Sequence, residues 1–433
     1  MRRAPEALAA ALREVDARRL RRRRVVATPV HADRQALAAD SRATAPPVVA
    51  IDGRRYLNFC SNDYLGLATH PALATAMADC AHAQGAGAGA SHLVSGHGPE
   101  HEALERELAE FTGRERALLF STGYMANLGV AVALADHDDL VLGDRLNHAS
   151  LVDAARLAAT RRTHRYGHGD AEAARAALAT HASASPAAGA LLLTDGVFSM
   201  DGDLAPLPAL AAAARAHGAW LIVDDAHGLG AFGPGGGGSV AHFGLDADAV
   251  PVLVGTLGKA LGSFGAFVAG SADLIELLVQ RARTYIYTTA MPQPVAAATR
   301  AALRLVVGEG WRREKLGQLV GRFRNRAIAR GLPLRDSCTA IQPVIFGTEA
   351  AALAASEALR EAGYWVGAIR PPTVPPGTAR LRITLSAAHG EADVDALVDA
   401  LALVWARHAP AATTTAAPTA MTVTAVPEEG PSG

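Results

Sequence analysis

A chain of 433 residues with 41 basic and 42 acidic side chains has no overall field favouring nucleic acid or an anionic membrane, and it is long enough for two domains and one large core. Its three scattered cysteines, Cys60, Cys80 and Cys338, lack CxxC spacing, which argues against a disulfide framework or zinc ribbon and fits a reducing, cytoplasmic compartment. The uncharged apolar stretches are too short and glycine-rich for a membrane span of roughly 20 residues, and the arginine-rich N-terminus lacks the apolar core and cleavage site of a secretory signal.

In chain order, residues 1–50 read as an arm. A basic helix is predicted through Leu8, Leu12, Val15 and Leu20, with nine arginines against three acids before Val25, followed by a polar segment ending in Ala45-Pro46-Pro47. Over residues 51–300, short apolar runs alternate with alanine-rich helical patterns. RALLF, DLVLG, GALLLT, AWLIV, AVPVLVG and GAFVAG fit buried strands, and PLPALAAAARAHG an intervening helix. Such alternation predicts an α/β domain with a large, mostly parallel, doubly wound sheet. Residues 301–408 change to helix, AIQPVIFG, helix, YWVGAIR, RLRITLS and a last helix, which predicts a small α+β domain. Residues 409–433, rich in Pro, Thr and Ala without period, read as a disordered tail.

Ligands of doubly wound sheets bind beyond the carboxyl ends of the strands, so the polar residues after each run are the candidates. Lys259 follows VPVLVG among glycines, and AWLIV ends on Asp224, Asp225 and His227. An amine, a carboxylate and an imidazole so placed suit pyridoxal phosphate, the lysine forming a Schiff base and the aspartate keeping the pyridinium nitrogen protonated. The rival reading of Lys259 is a surface lysine in a turn. Gly123 and Tyr124, in STGYMAN, open a predicted helix whose free N–H groups suit a phosphate; a plain turn is the alternative. His148 precedes another helix, where it either stacks on a planar ring or belongs to a capping segment. Ser199 shares a loop with Asp195, Asp201 and Asp203, which lacks the length and closing Glu of a calcium loop. Thr256 is a further phosphate donor.

Two motif hits carry less. Residues 85–90 match GxGxxA but follow a helical segment where a dinucleotide fingerprint needs a strand. His97 and His101 match HxxEH, yet Gly98-Pro99 interrupts the helix the two ligands must share, and proline starts helices well, so no metal is expected. The arginine run 18–24 is a solvated face or a patch for an acidic substrate tail.

Taken together, NFCSNDYLGL, ASHLVSGHGPEHEALERELAEF, STGYMAN, DRLNHASL, TDGVFSMDGD, VDDAHGLG, TLGKALGSFGA, YIYTTAMP and IRPPTVPPGTARLRITLSAAH resemble the pyridoxal-phosphate-dependent α-oxoamine synthases, acyltransferases of the aspartate aminotransferase fold (fold type I). The resemblance covers nearly the whole chain to about residue 409. Segment 369–375 and the N-terminal Leu20-Arg21-Arg22-Arg23 are most similar to the branch that condenses L-alanine with a pimeloyl thioester on coenzyme A or an acyl carrier protein, in biotin synthesis; relatives using glycine or serine differ most there. The resemblance implies that Lys259 carries pyridoxal phosphate, Asp224 pairs with the ring nitrogen, His227 and Ser199 bind the ring hydroxyl, and His148 stacks on the ring. It implies that Gly123, Tyr124 and Thr256 serve the phosphate, joined by Thr288 or Thr289 from the second subunit of a homodimer with shared sites. Asn62 and Arg382 would hold the amino-acid carboxylate, with Arg21 and Thr373 contacting the acyl substrate. Asp195 stands where relatives often have Glu, which leaves its role open.

Overall fold

The protein is described by a computed structural model over residues 7–18, 20–22, 24–30 and 47–409. The expectations for residues 31–46 and for the tail at 410–433 fall outside the described residues. The N-terminal helix is Ala7–Ala17, so Leu20 lies beyond it, where its N–H closes on the carbonyl of Val15 at 2.9 Å. Like charges in the arginine run that follows oppose further helix.

Strands β1 (Thr28–Pro29), β2 (Val48–Ile51) and β3 (Arg54–Asn58) form an antiparallel ladder. The central sheet comprises β4 (Arg116–Phe120), β5 (Leu140–Asp144), β6 (Arg162–Tyr166), β7 (Ala190–Asp195), β8 (Trp220–Asp224), β9 (Val252–Thr256) and β10 (Ala266–Gly270), in the order β4-β10-β9-β8-β7-β5-β6. Pairing is parallel from β9 through β8, β7, β5 and β6; only β10 runs antiparallel, to both neighbours. All six predicted apolar runs are strands. β6, with sequence RTHRY, was not predicted: it is an edge strand whose first four residues are exposed, so no apolar run marks it.

Successive side chains of a strand face opposite sides, and the core divides accordingly. Leu191, Leu193, Ile222 and Val254 face the helices Gly123–Leu134, Ala149–Leu157 and Ala272–Arg281. Leu192, Leu221, Val223 and Leu253 face Ala171–Ala184 and Leu207–Ala216. A third cluster runs from Leu119 and Phe267 into the C-terminal region, where β11 (Ile341–Gly347), β14 (Ala379–Thr384) and β13 (Gly367–Ile369) form an antiparallel sheet. β12 (Tyr364–Trp365) pairs parallel with β3, tying the first ladder to the C-terminal region. The expected domain boundary after residue 300 falls inside one unbroken helix, Gln293–Gly308.

Candidate active site

The polar residues following β5, β7, β8 and β9 gather at the carboxyl edge of the central sheet. Asp224 is the last residue of β8 and is buried. Its Oδ2 accepts from Asn127 Nδ2 at 2.6 Å and its Oδ1 from the Ala226 N–H at 3.1 Å. Both hydrogen-bond donors are neutral, so this buried carboxylate has no cation bonded to it among the described residues. Asp225, one residue on, turns the other way: it accepts from the Ser239 N–H at 2.7 Å, and a Cβ on Gly228 or Gly238 would strike its carboxylate. It shapes the glycine-rich loop after β8.

Lys259 is partly buried, and its Nζ lies 2.8 Å from His227 Nε2. Burial pushes its ammonium down to about 8, with Asp224 and then Asp195 opposing the fall and Arg382 adding to it. This excludes the surface-lysine reading. Burial, followed by the charges of Lys259 and Arg382, holds His227 well below the usual imidazole range, so the ring is neutral. Its other nitrogen, Nδ1, is 2.5 Å from Tyr64 Oη.

His148 takes the capping place that the sequence offered as one of its two readings. It is the N-cap of helix Ala149–Leu157, Nδ1 accepting from the Ser150 N–H at 3.2 Å, which leaves the proton of the neutral ring on Nε2. Its backbone N–H donates to Asp195 Oδ2 at 2.6 Å, and burial lowers its pKa, Asp224 opposing and Lys259 adding. Asp195 therefore has a place: it anchors the loop that carries His148. Burial, then the charge of Asp224, holds Asp195 well above the usual carboxylate range.

Arg382, on β14, reaches the same edge. Nε donates to the Ser199 carbonyl at 2.6 Å, Nη1 to Asn62 Oδ1 at 3.1 Å and to Thr384 Oγ1 at 2.9 Å, while Nη2 is buried with no hydrogen-bond partner among the described residues. A buried guanidinium nitrogen left open beside an asparagine suits a substrate carboxylate. Ser199 contributes its carbonyl here; no hydrogen bond joins its hydroxyl to His227 among the described residues. Asp201 and Asp203 are ion-paired, to Arg380 at 2.5 Å and to His168 at 2.7 Å, as a structural turn requires.

Gly123 and Tyr124 open the helix Gly123–Leu134, with Thr122 capping through a bond from the Met125 N–H at 3.2 Å. The Tyr124 hydroxyl is taken by Asp153. Thr256 ends β9, its Oγ1 donating to the Gly265 carbonyl at 3.2 Å. Thr288 and Thr289 share no bond with the Lys259 cluster in this chain; Thr289 bridges to Ser91 and is exposed. At the arm, Arg21 pairs with Asp16 at 2.6 Å, and it is Arg22 whose Nη2 reaches Thr373 Oγ1, at 3.2 Å.

Neither of the two weaker motifs has the backbone context its motif requires. Residues 85–90 follow the helix Pro71–Gln84, not a strand. Nitrogens of His92, His97 and His101 lie within 4.8 Å of one another, but both of His101 are used, Nδ1 accepting from the Gly98 N–H at 3.0 Å and Nε2 facing the Met291 carbonyl at 2.5 Å. The helix starts at Pro99, so His97 is not on it. Sequence reasoning gave no role to Tyr64, Asn127, Ser150 or His168. Tyr64, Asn127 and Ser150 lie inside quoted motif segments, the only signal they offered.

The fold and this edge define a pyridoxal-phosphate enzyme of fold type I, and the chain belongs to the aminotransferase class I and II family, which residues 54–401 match. It is 58% identical over 395 residues to the 8-amino-7-oxononanoate synthase of Methylococcus capsulatus, covering 91% of this chain and 97% of that one. It is 59% identical over 355 residues to that of Cellvibrio japonicus, covering 82% and 88%. Among solved structures, the serine palmitoyltransferase of Sphingomonas wittichii matches with a TM-score of 0.84 at 30% identity, covering 93% of this chain and 98% of that one. The 8-amino-7-oxononanoate synthase of Francisella tularensis matches with a TM-score of 0.68 at 27% identity, covering 80% and 97%. The likeness to α-oxoamine synthases is thus borne out, and pyridoxal phosphate is the cofactor. The residues fit it: Asp224 is a buried carboxylate bonded only to neutral donors, which matches a protonated ring nitrogen, and Lys259 is an amine of lowered basicity within the same cluster.

Proposed function

We propose that the chain is an acyltransferase that condenses L-alanine with a pimeloyl thioester, releasing carbon dioxide and the thiol and forming 8-amino-7-oxononanoate for biotin synthesis. The observation that carries this is Arg382 Nη2, buried and open beside Asn62 at the edge that holds Lys259 and Asp224, in a chain 58% identical to a synthase of that name. Pyridoxal phosphate, when bound, supplies the electron sink for charge left on the substrate Cα. Asp224 keeps the sink effective by holding a proton on the ring nitrogen, and Asn127 orients Asp224. Lys259 Nζ would hold the cofactor at rest and would take the Cα proton and later return one; its lowered pKa gives a substantial neutral fraction near pH 8. His148, neutral and fixed by Ser150 and Asp195, would cover the ring face. His227 and Ser199 would serve the ring hydroxyl, and Gly123, Tyr124 and Thr256 the phosphate. Arg382 and Asn62 grip the amino-acid carboxylate until it leaves as carbon dioxide.

The acyl substrate meets Thr373 and the arm, where Arg22 as well as Arg21 can receive its carboxylate. Either carrier, coenzyme A or acyl carrier protein, is acidic and suits that basic segment. A homodimer with shared sites accounts for exposed Leu93, Val94 and Tyr287, which neighbour the Ser91–Thr289 bridge in the chain, the face from which Thr288 or Thr289 would reach the partner's phosphate site. No described helix is long and apolar enough to cross a membrane, in keeping with a cytoplasmic enzyme.

Serine palmitoyltransferases among the structural matches make a serine- or glycine-using activity the second reading. The experiment is to incubate the protein, loaded with pyridoxal phosphate, with L-alanine, glycine or L-serine and pimeloyl-coenzyme A or pimeloyl acyl carrier protein, following absorbance and product mass. A product 8-amino-7-oxononanoate from alanine supports the proposal; a response to glycine or serine alone overturns it.

A further inference from the structure

The charge balance of the chain is broken at one edge of the central sheet. Between positions 145 and 165 stand Arg145, Arg156, Arg161, Arg162 and Arg165 against a single acid, Asp153, in a chain with 41 basic and 42 acidic residues. All of these arginines are exposed. Asp153 offsets one of them, its Oδ1 accepting from Arg156 Nη1 at 3.1 Å while its Oδ2 takes the Tyr124 hydroxyl. The side chains of Arg145, Arg161 and Arg165 form no hydrogen bond or ion pair among the described residues. Arg161, Arg162 and Arg165 lie on or beside β6, which pairs on one side only, with β5. Charge of either sign would keep such an edge from pairing with another strand. An edge of one sign, on a chain with no net field, also attracts a polyanion.

This edge has a route toward the active site. Thr163 Oγ1 donates to the Ala155 carbonyl at 3.3 Å, which puts Thr163 and, two residues on, Arg165 on the side of helix Ala149–Leu157. Between that helix and the sheet edge runs a groove of about 220 Å³, lined by Asn147, Leu151, Ala155, Arg156, Thr163 and Arg165. Asn147 directly precedes His148, and from Ala149 to Arg156 the helix rises roughly 10 Å. The carboxylate that lines the groove, Asp144, is already bonded to His168 and to the N–H groups of Leu146 and Gly169.

The partner of this edge rests on the pimeloyl thioester proposed above as substrate. Such a thioester carries a free carboxylate at one end of a straight carbon chain and its carrier at the other. With the carboxylate on the arm at Arg22 and Thr373, the thioester end lies at Lys259 and the carrier beyond it. We propose that β6 and the groove beside it are the docking surface for an acidic acyl carrier protein, with the phosphate of its phosphopantetheine on Arg156 and Arg165 and its acidic face on Arg161 and Arg162. The pantetheine chain then runs along the groove past Asn147 toward His148. Coenzyme A brings the same chain but no protein face for Arg161 and Arg162 to meet.

Kinetics with the holoenzyme and its Arg161→Glu/Arg162→Glu variant separate the two carriers. KM for pimeloyl acyl carrier protein should rise about tenfold or more at low ionic strength, while KM for pimeloyl-coenzyme A stays within about twofold. The difference between variant and wild type should narrow as added salt screens the exposed charges. An unchanged KM for the carrier protein, or an equal rise for both thioesters, overturns the proposal. Calorimetric titration with holo acyl carrier protein reads docking without turnover. Binding should be seen in the wild type, lost in Arg161→Glu/Arg162→Glu and kept in Arg21→Glu/Arg22→Glu. No binding by the wild type, or the reverse pattern in the two variants, overturns it as well. Docking at this edge with no product from any pimeloyl thioester would support the surface and sink the substrate assignment.

Discussion

Arg382 Nη1 donates to Asn62 Oδ1 at 3.1 Å, joining residues 320 positions apart and leaving Nη2 of the same guanidinium buried and open. That open nitrogen predicts the outcome of Arg382→Lys. An ammonium keeps the charge but cannot hold Ser199, Asn62 and a carboxylate at once, so KM for L-alanine should rise by roughly tenfold to a hundredfold, the loss of a charge-assisted bond or two. Steady-state kinetics in L-alanine check this, with KM for the thioester as the internal control.

Lys259→Ala should lose more than the ~10²–10⁴ of a general base alone, because the amine also holds the cofactor. Borohydride reduction followed by peptide mass mapping should find the cofactor on Lys259 in the wild type and no such adduct in the variant. A reducible lysine adduct and turnover in Lys259→Ala would falsify the assignment.

The lowered basicity of Lys259 fixes a pH profile. An ordinary lysine titrates at 10.5, whereas burial brings this one to about 8, so between these values it is neutral and nucleophilic in the folded protein when an exposed lysine is not. The rate of pyridoxal phosphate capture by the apoenzyme should therefore climb with pH and level off just above 8, as read by stopped-flow absorbance. A rate still climbing steeply at 10.5 would mean an ordinary lysine.

His168 lies between Asp144 Oδ1 at 3.0 Å and Asp203 Oδ2 at 2.7 Å, tying the end of β5 to the loop after β7. The bonds to Asp144 and then Asp203 push its pKa up from 6.5 to about 10. A folded value above the unfolded one stabilises fully below about 6.5 and the gain is lost as pH rises through about 10. His168→Ala should cost ~1.5–3 kcal/mol at the acid end of that window, with the difference in Tm from wild type shrinking toward the alkaline end.

Asp195 holds the His148 N–H through a bond of 2.6 Å, which a longer Glu side chain could also make. Asp195→Glu should keep kcat within about threefold, and Asp195→Leu should lose about tenfold or more and change the absorbance of the bound cofactor, because His148 is then no longer fixed.

Much of this site was legible because the strands that position it are buried on both faces. VLVGT before Lys259 and WLIVD ending on Asp224 announce themselves as apolar runs, and the polar residue that follows each is conspicuous. β6 was invisible for the opposite reason, an edge strand with charged residues and no run to detect. Asn127 and Tyr64 were passed over because a helix-interior asparagine and a loop tyrosine have no local signature; their meaning lies in partners at positions 224 and 227. The arm shows the limit of motif transfer: resemblance pointed to Arg21, but Arg21 is paired with Asp16 and its neighbour Arg22 meets Thr373.

By itself the sequence determined the alternation of strand and helix, the reactive amine and the acid and imidazole that end the neighbouring run, since apolar periodicity and the residues that break it are local properties. Resemblance pointed to Asp224, and the tertiary structure supplied the physical reason that sets it apart from Asp225. Consecutive side chains leave the end of a strand in opposite directions, so one carboxylate enters the site and the other holds a loop. The tertiary structure likewise made Asp195 an anchor for His148 and brought Arg382 from the C-terminal sheet to Asn62, because contacts between distant segments depend on how the sheets pack and no spacing in the chain encodes them.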